Sequence, residues 1–178
     1  LNHNLCCSTL QNDLRTALID SRSAYRILDN QTVSAIGTAE VAASLEGAIA
    51  TTKEVVPGAS QHLLQASVDL RRGDWSGSVR NSIHAVEATA TVLAPESNTL
   101  GKALNALDQK GHIHGGLKAA FSQLYGYTSD DEGIRHALVF KDSPTVDESD
   151  ALFMLGACSS FVSYLLSKGA AAGLIGDG

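Results

Sequence analysis

The sequence predicts an all-α protein, a helical bundle of about six to eight helices, and three observations predict it. Apolar residues recur at steps of three and four along most of the chain, the spacing that lines one face of an α-helix. Ala, Leu, Ser and Gly are plentiful while aromatic residues make up only 5%, a balance that suits closely packed helices better than a sheet. No segment reads as a convincing strand.

The elements follow in order. A first helix over about 10–28 carries Leu10, Leu14, Ala17, Leu18, Tyr25 and Leu28 on one stripe, with Arg15, Arg22 and Arg26 off it. The run Asp29-Asn30-Gln31-Thr32 breaks that pattern. A second helix over about 38–54 is rich in Ala and ends before Val56-Pro57-Gly58, because the residue before a proline is turned away from helical dihedrals. A third, about 59–72, places Leu63, Leu64, Val68 and Leu70 inward and leaves through Arg71-Arg72-Gly73, a normal helix exit.

Asp74 caps a fourth helix over about 75–94 whose inward stripe is Trp75, Val79, Ile83, Val86, Ala90 and Leu93. A short helix over 99–109 carries Leu100, Ala103, Leu104 and Leu107, and another follows with Leu117, Ala120, Phe121 and Leu124. Ser129 with Glu132, and Thr145 with Glu148, have the spacing of capping boxes. The second box opens a central apolar helix near 147–168. The longest apolar stretch, 151–166, is interrupted by Cys158, Ser159, Ser160 and Ser163 and falls short of the roughly 20 residues a bilayer span needs, so it reads as a core helix. The expected organisation is a helical arm or lead-in over 1–56, the bundle over 57–169, and a flexible tail over 170–178.

A net charge of −6 opposes binding driven by phosphate neutralisation, which calls for a basic excess. Three cysteines, Cys6, Cys7 and Cys158, form no disulfide framework and no zinc spacing; they read as reduced thiols of a cytoplasmic protein. Leu1 in place of an initiator Met suggests a module cut from a longer protein, with its N-terminal partner domain absent. No cofactor motif appears, and no metal site is expected, since His112-x-His114 lacks partners at ligand spacing.

Two polar groups carry the candidate chemistry. On the fourth helix Arg80, His84, Glu87 and Thr91 share one face at steps of four, three and four. Arg80 could hold an anion, and Glu87 could orient the His84 imidazole for proton transfer; the same row also reads as a solvated face of ordinary ion pairs. Arg71 and Arg72 would enlarge a basic patch beside it. The second group follows Tyr125 and Tyr127, where Arg135 and His136 supply a phosphate ligand and a proton carrier. Asp131, four residues before Arg135, offers a structural pairing instead.

Several stretches resemble the C-terminal helical region of bacterial abortive-infection proteins that carry AbiJ-type N-terminal domains: Ala24-Tyr25-Arg26-Ile27, Gly73-Asp74-Trp75, Ser82 to Glu87, Leu124 to Thr128, Gly133 to Ala137, and Ala151 to Cys158. The Gly-Ile-Arg-His-Ala segment also resembles the wider HEPN superfamily, helical bundles that often dimerise and many of which are metal-independent RNases of phage defence. That resemblance implies a HEPN-like homodimer with RNA as a possible partner. The HEPN signature places His five to seven positions after its Arg; here those positions hold Phe140, Lys141 and Asp142. Three functions stay open: a defence module acting by self-association and nucleic-acid or partner-domain contact, an endoribonuclease using Arg135 or Arg80 with His136 or His84, and a small-ligand pocket lined by Tyr125, Tyr127 and His84. No membrane partner is expected.

Overall fold

The computed structural model describes residues 3–21, 25–27, 33–35, 37–129 and 146–175. Among them are seven helices that make up 80% of those residues, which settles the all-α class. In chain order the elements are α1 (His3–Asp20), β1 (Tyr25–Ile27), β2 (Val33–Ala35), α2 (Ala39–Val55), α3 (Pro57–Arg72), α4 (Trp75–Leu93), α5 (Leu100–Gln109), α6 (Gly115–Ser129) and α7 (Glu148–Ala171).

Helices α2, α3, α4 and α7 enclose one core. Leu45 and Ile49 of α2, Leu63 and Leu70 of α3, and Val79, Ile83 and Val86 of α4 meet Met154, Leu155, Val162 and Leu165 of α7. The expected stripe of α4 is correct: every member is buried except Trp75, which is half-buried. Asp74 caps α4 by accepting from the Gly77 N–H at 2.8 Å. Thr38 and Thr99 cap α2 and α5 in the same manner.

A tight turn makes α3 and α4 an antiparallel hairpin. Gly73 takes φ 78°, which glycine adopts without steric cost. Its N–H reaches the Leu70 carbonyl and that of Asp74 reaches the Asp69 carbonyl, the paired closure of a Schellman motif.

Three expectations need correction. The first helix stops at Asp20, and Tyr25–Ile27 forms a strand paired antiparallel with Val33–Ala35, Arg26 opposite Ser34. Non-local bonds override the helical spacing there: Arg15 donates to the Ile27 carbonyl at 2.9 Å, and Arg26 donates to Glu46 of α2 at 2.8 Å. The N-cap of α7 is Asp147, in a capping box with Asp150, not Thr145 with Glu148. Glu132 of the Ser129–Glu132 box lies outside the described residues.

The third correction concerns the end of α7, expected near 168. Gly169 is buried against Leu93, and the helix continues to a Schellman closure at Gly173, φ 65°. Beyond it Leu174 and Ile175 pack on the core. α7 has 24 residues, and an 18-residue window of it reaches a mean hydropathy of 1.4, long and apolar enough by composition to cross a membrane, but 56% of that window is buried in the bundle, as in a core helix.

Cys158 lies at the centre of α7 with no exposure, and burial pushes its thiol up to about 12. A thiol that stays protonated is a poor nucleophile. In a Cys6→Ser, Cys7→Ser chain at pH 8, maleimide or Ellman reagent is therefore expected to modify Cys158 only after denaturant is added. Rapid labelling of the folded chain would contradict this packing.

Candidate functional site

The α3–α4 hairpin carries a polar seam that the sequence only half reveals. Asn81 of α4 sits between Asp69 and His62 of α3, donating Nδ2–H to Asp69 Oδ2 at 2.8 Å with its Oδ1 3.0 Å from His62 Nδ1. Gln65 donates to the other Asp69 oxygen at 2.7 Å. Asp69 is 8% exposed, so its charge depends on these donors. A carboxylate only accepts hydrogen bonds, which fixes the orientation of the Asn81 amide. Its Oδ1 must then face His62, so His62 Nδ1 is the donor, and in the neutral ring the lone pair is on Nε2.

His84 meets His62 edge to face, with ring centroids 5.2 Å apart and planes at 70°. Burial lowers the His84 pKa from its ordinary value of 6.5; repulsion from His62 and Arg80 lowers it further, and Glu87 opposes them. His84 is thus a neutral imidazole at pH 7, facing a second imidazole whose tautomer is set by a chain of hydrogen bonds.

The face expected from spacing is present in part. Arg80 is exposed, while His84, Glu87 and Thr91 are half-buried, and the Thr91 hydroxyl is turned back onto the Glu87 carbonyl at 2.8 Å. Arg71 and Arg72 are exposed at the end of α3. Tyr125 of α6 is half-buried and packs against the core. Tyr127 is on α6. Arg135 and His136 lie outside the described residues, and with them the question of whether the two Arg/His groups meet.

His62 corrects a further expectation. From sequence it reads as a helix-surface residue; in the fold it is half-buried and has a partner on each side. Its signal was present: His62, Gln65 and Asp69 stand at steps of three and four on α3, and Asn81 and His84 stand three apart on α4. What the sequence does not provide is the pairing of the two rows. In the α5–α6 turn, His114 uses Nδ1 to accept the Gly116 N–H at 3.0 Å. That bond makes it a cap of α6 and takes up the nitrogen a metal would need on that side. Among the described residues no three His, Cys, Asp or Glu side chains gather as a metal site.

No protein-family profile, no curated protein and no solved structure matches this chain.

Proposed function

We propose that this chain is the helical module of a bacterial phage-defence protein of the abortive-infection kind, acting by self-association and by contact with nucleic acid or a partner domain. One observation carries the self-association. Helix α1 leaves Leu10 and Leu14 at 70% and 46% exposure, with Ala17 exposed on the same stripe, while the core closes among the other helices. An apolar stripe left outside the core of a small domain is an association surface in waiting. Tyr25 and Val33, at the adjoining ladder, are exposed as well and extend it.

A second copy of this chain is the occupant that fits. Two identical stripes related by a two-fold axis cover each other completely, and the resemblance to HEPN bundles, which often dimerise, agrees with it. The net charge of −6 makes a nucleic-acid backbone the poorer partner for this stripe.

The test is sedimentation of the wild-type chain beside a Leu10→Asp, Leu14→Asp variant. The wild type is expected to sediment as a dimer. The variant takes two leucines from each copy, four from the two-fold contact, and at about 1.4 kcal/mol each should dissociate about ten-thousandfold more readily, with its helix content unchanged. Equal masses for the two chains would sink the reading.

Metal-independent cleavage of RNA is the second reading. Arg80 favours it, exposed one turn before the neutral imidazole of His84 on the same helix. RNA incubated with the chain in EDTA is its test. Cleavage lost in Arg80→Ala and His84→Ala supports this placement; cleavage lost only in Arg135→Ala or His136→Ala moves it to the second group, and intact RNA dismisses it.

A further inference from the structure

We propose that His62 and His84 form a two-imidazole site for a divalent transition-metal ion of the zinc or copper class, clamped across the α3–α4 hairpin. The separation of the rings is the first support. An imidazole bound to zinc at about 2.0–2.1 Å has its ring centroid about 3.2 Å from the ion, so two such rings at the tetrahedral angle stand about 5.2 Å apart. His62 and His84 stand 5.2 Å apart. Ordinary edge-to-face ring pairs span a range that includes this value, so the distance alone does not decide.

The hydrogen bonds behind His62 are the second support. A metal-bound imidazole nearly always gives its other N–H to a carbonyl or carboxylate, which fixes the tautomer and strengthens the ligand. His62 has that arrangement already: Nδ1 on the Asn81 carbonyl, Asn81 on Asp69, Asp69 held in turn by Gln65.

The field around the site suits a cation. Asp69 and Glu87 contribute negative charge, Arg80 opposes them, and the whole chain carries −6. The acidity that disfavours a phosphate backbone therefore favours this ligand. With two protein donors the remaining coordination positions are left to water or to a donor group of a bound partner, an open rather than a closed coordination. Both donors are imidazoles, so copper should bind more tightly than zinc or nickel, and nickel more tightly than cobalt. Because the ion joins the two arms of the hairpin, binding should stabilise the fold by mass action. The site is independent of the self-association reading and shares His84 with the cleavage reading, which its metal-binding test, made without RNA, leaves apart.

The experiment is a calorimetric titration of the EDTA-stripped, dialysed chain with zinc or copper salt alone, with a thermal melt at each end point. One equivalent should bind and the melting midpoint should rise. His62→Ala and His84→Ala should each lose binding more than tenfold and lose the rise in midpoint; His62→Gln and His84→Gln serve if an alanine chain fails to fold. Asn81→Ala keeps both ligands and should still weaken binding about 10–100-fold, whereas Arg80→Gln should tighten it about two- to threefold. His114→Ala should change nothing. Absence of binding in the wild type, or binding that survives loss of both His62 and His84, overturns the site.

Discussion

Replacing Glu46 by alanine is expected to lower the free energy of unfolding by about 2–3 kcal/mol, the largest effect foreseen for one surface-proximal side chain. Removing one partner of a fully buried ion pair costs about 3–5 kcal/mol because the other charge stays behind in a poor solvent. Here Arg26 is 3% exposed and Glu46 26%, so the lower end applies. The Arg26 guanidinium also donates to the Tyr25 carbonyl at 2.9 Å, which offsets part of the loss. In urea denaturation the drop should appear as a lower midpoint with an unchanged slope. Glu46→Gln keeps an acceptor and should cost less. A paired Arg26→Met, Glu46→Leu chain should recover most of the stability, since apolar replacement of both partners leaves no orphaned charge. A cost below about 0.5 kcal/mol for Glu46→Ala, the level of an exposed pair, would show that this bridge is not buried in solution.

Substitution at two helical glycines should give opposite signs. In a helix interior glycine is about 0.8–1 kcal/mol worse than alanine, and Gly47 of α2 is exposed with nothing near the place of a Cβ. Gly47→Ala should therefore stabilise by up to about 1 kcal/mol. Gly169 of α7 is buried, and a Cβ there would run into Leu93 of α4. Overpacking a closed core costs about 1–3 kcal/mol, enough to reverse the propensity gain. Gly169→Ala should destabilise by about 1 kcal/mol, and Gly169→Val by about 2–3. Trimming Leu93 to alanine in the Gly169→Ala chain should show positive coupling in a double-mutant cycle. A stabilising Gly169→Ala would mean that α4 and α7 pack less closely there.

Most of the bundle was legible because its signals are local. The α4 stripe from Val79 to Leu93 follows the helical period, and Asp74 stands where a cap must. The misreadings share one physical cause, contacts made across the chain. Tyr25 and Leu28 fit a helix by spacing, but Arg15 and Glu46 hold Tyr25–Ile27 as a strand. Gly169 follows a lysine as an exit glycine would, yet its reason is Leu93, far away in sequence. At the N-terminus of α7 two capping boxes overlap in spacing, and only the backbone chooses Asp147. The candidate site divides along the same line. Arg80, His84 and Glu87 were visible as one row, while His62, Asp69 and Asn81 acquire meaning only when α3 folds back on α4.

The contact between copies through α1 is the claim on which the functional account turns, and a distance between two protomers tests it most directly. A spin label at Asp13→Cys in a Cys6→Ser, Cys7→Ser chain sits on the exposed part of α1, and Cys158 is too deeply buried to take a label. An 18-residue helix is about 27 Å long, so two α1 helices packed along their stripes must bring the labels within about 40 Å. The account predicts a dipolar coupling in that range, abolished by Leu14→Asp. No coupling at concentrations where the chain sediments as a dimer would place the interface elsewhere and contradict it.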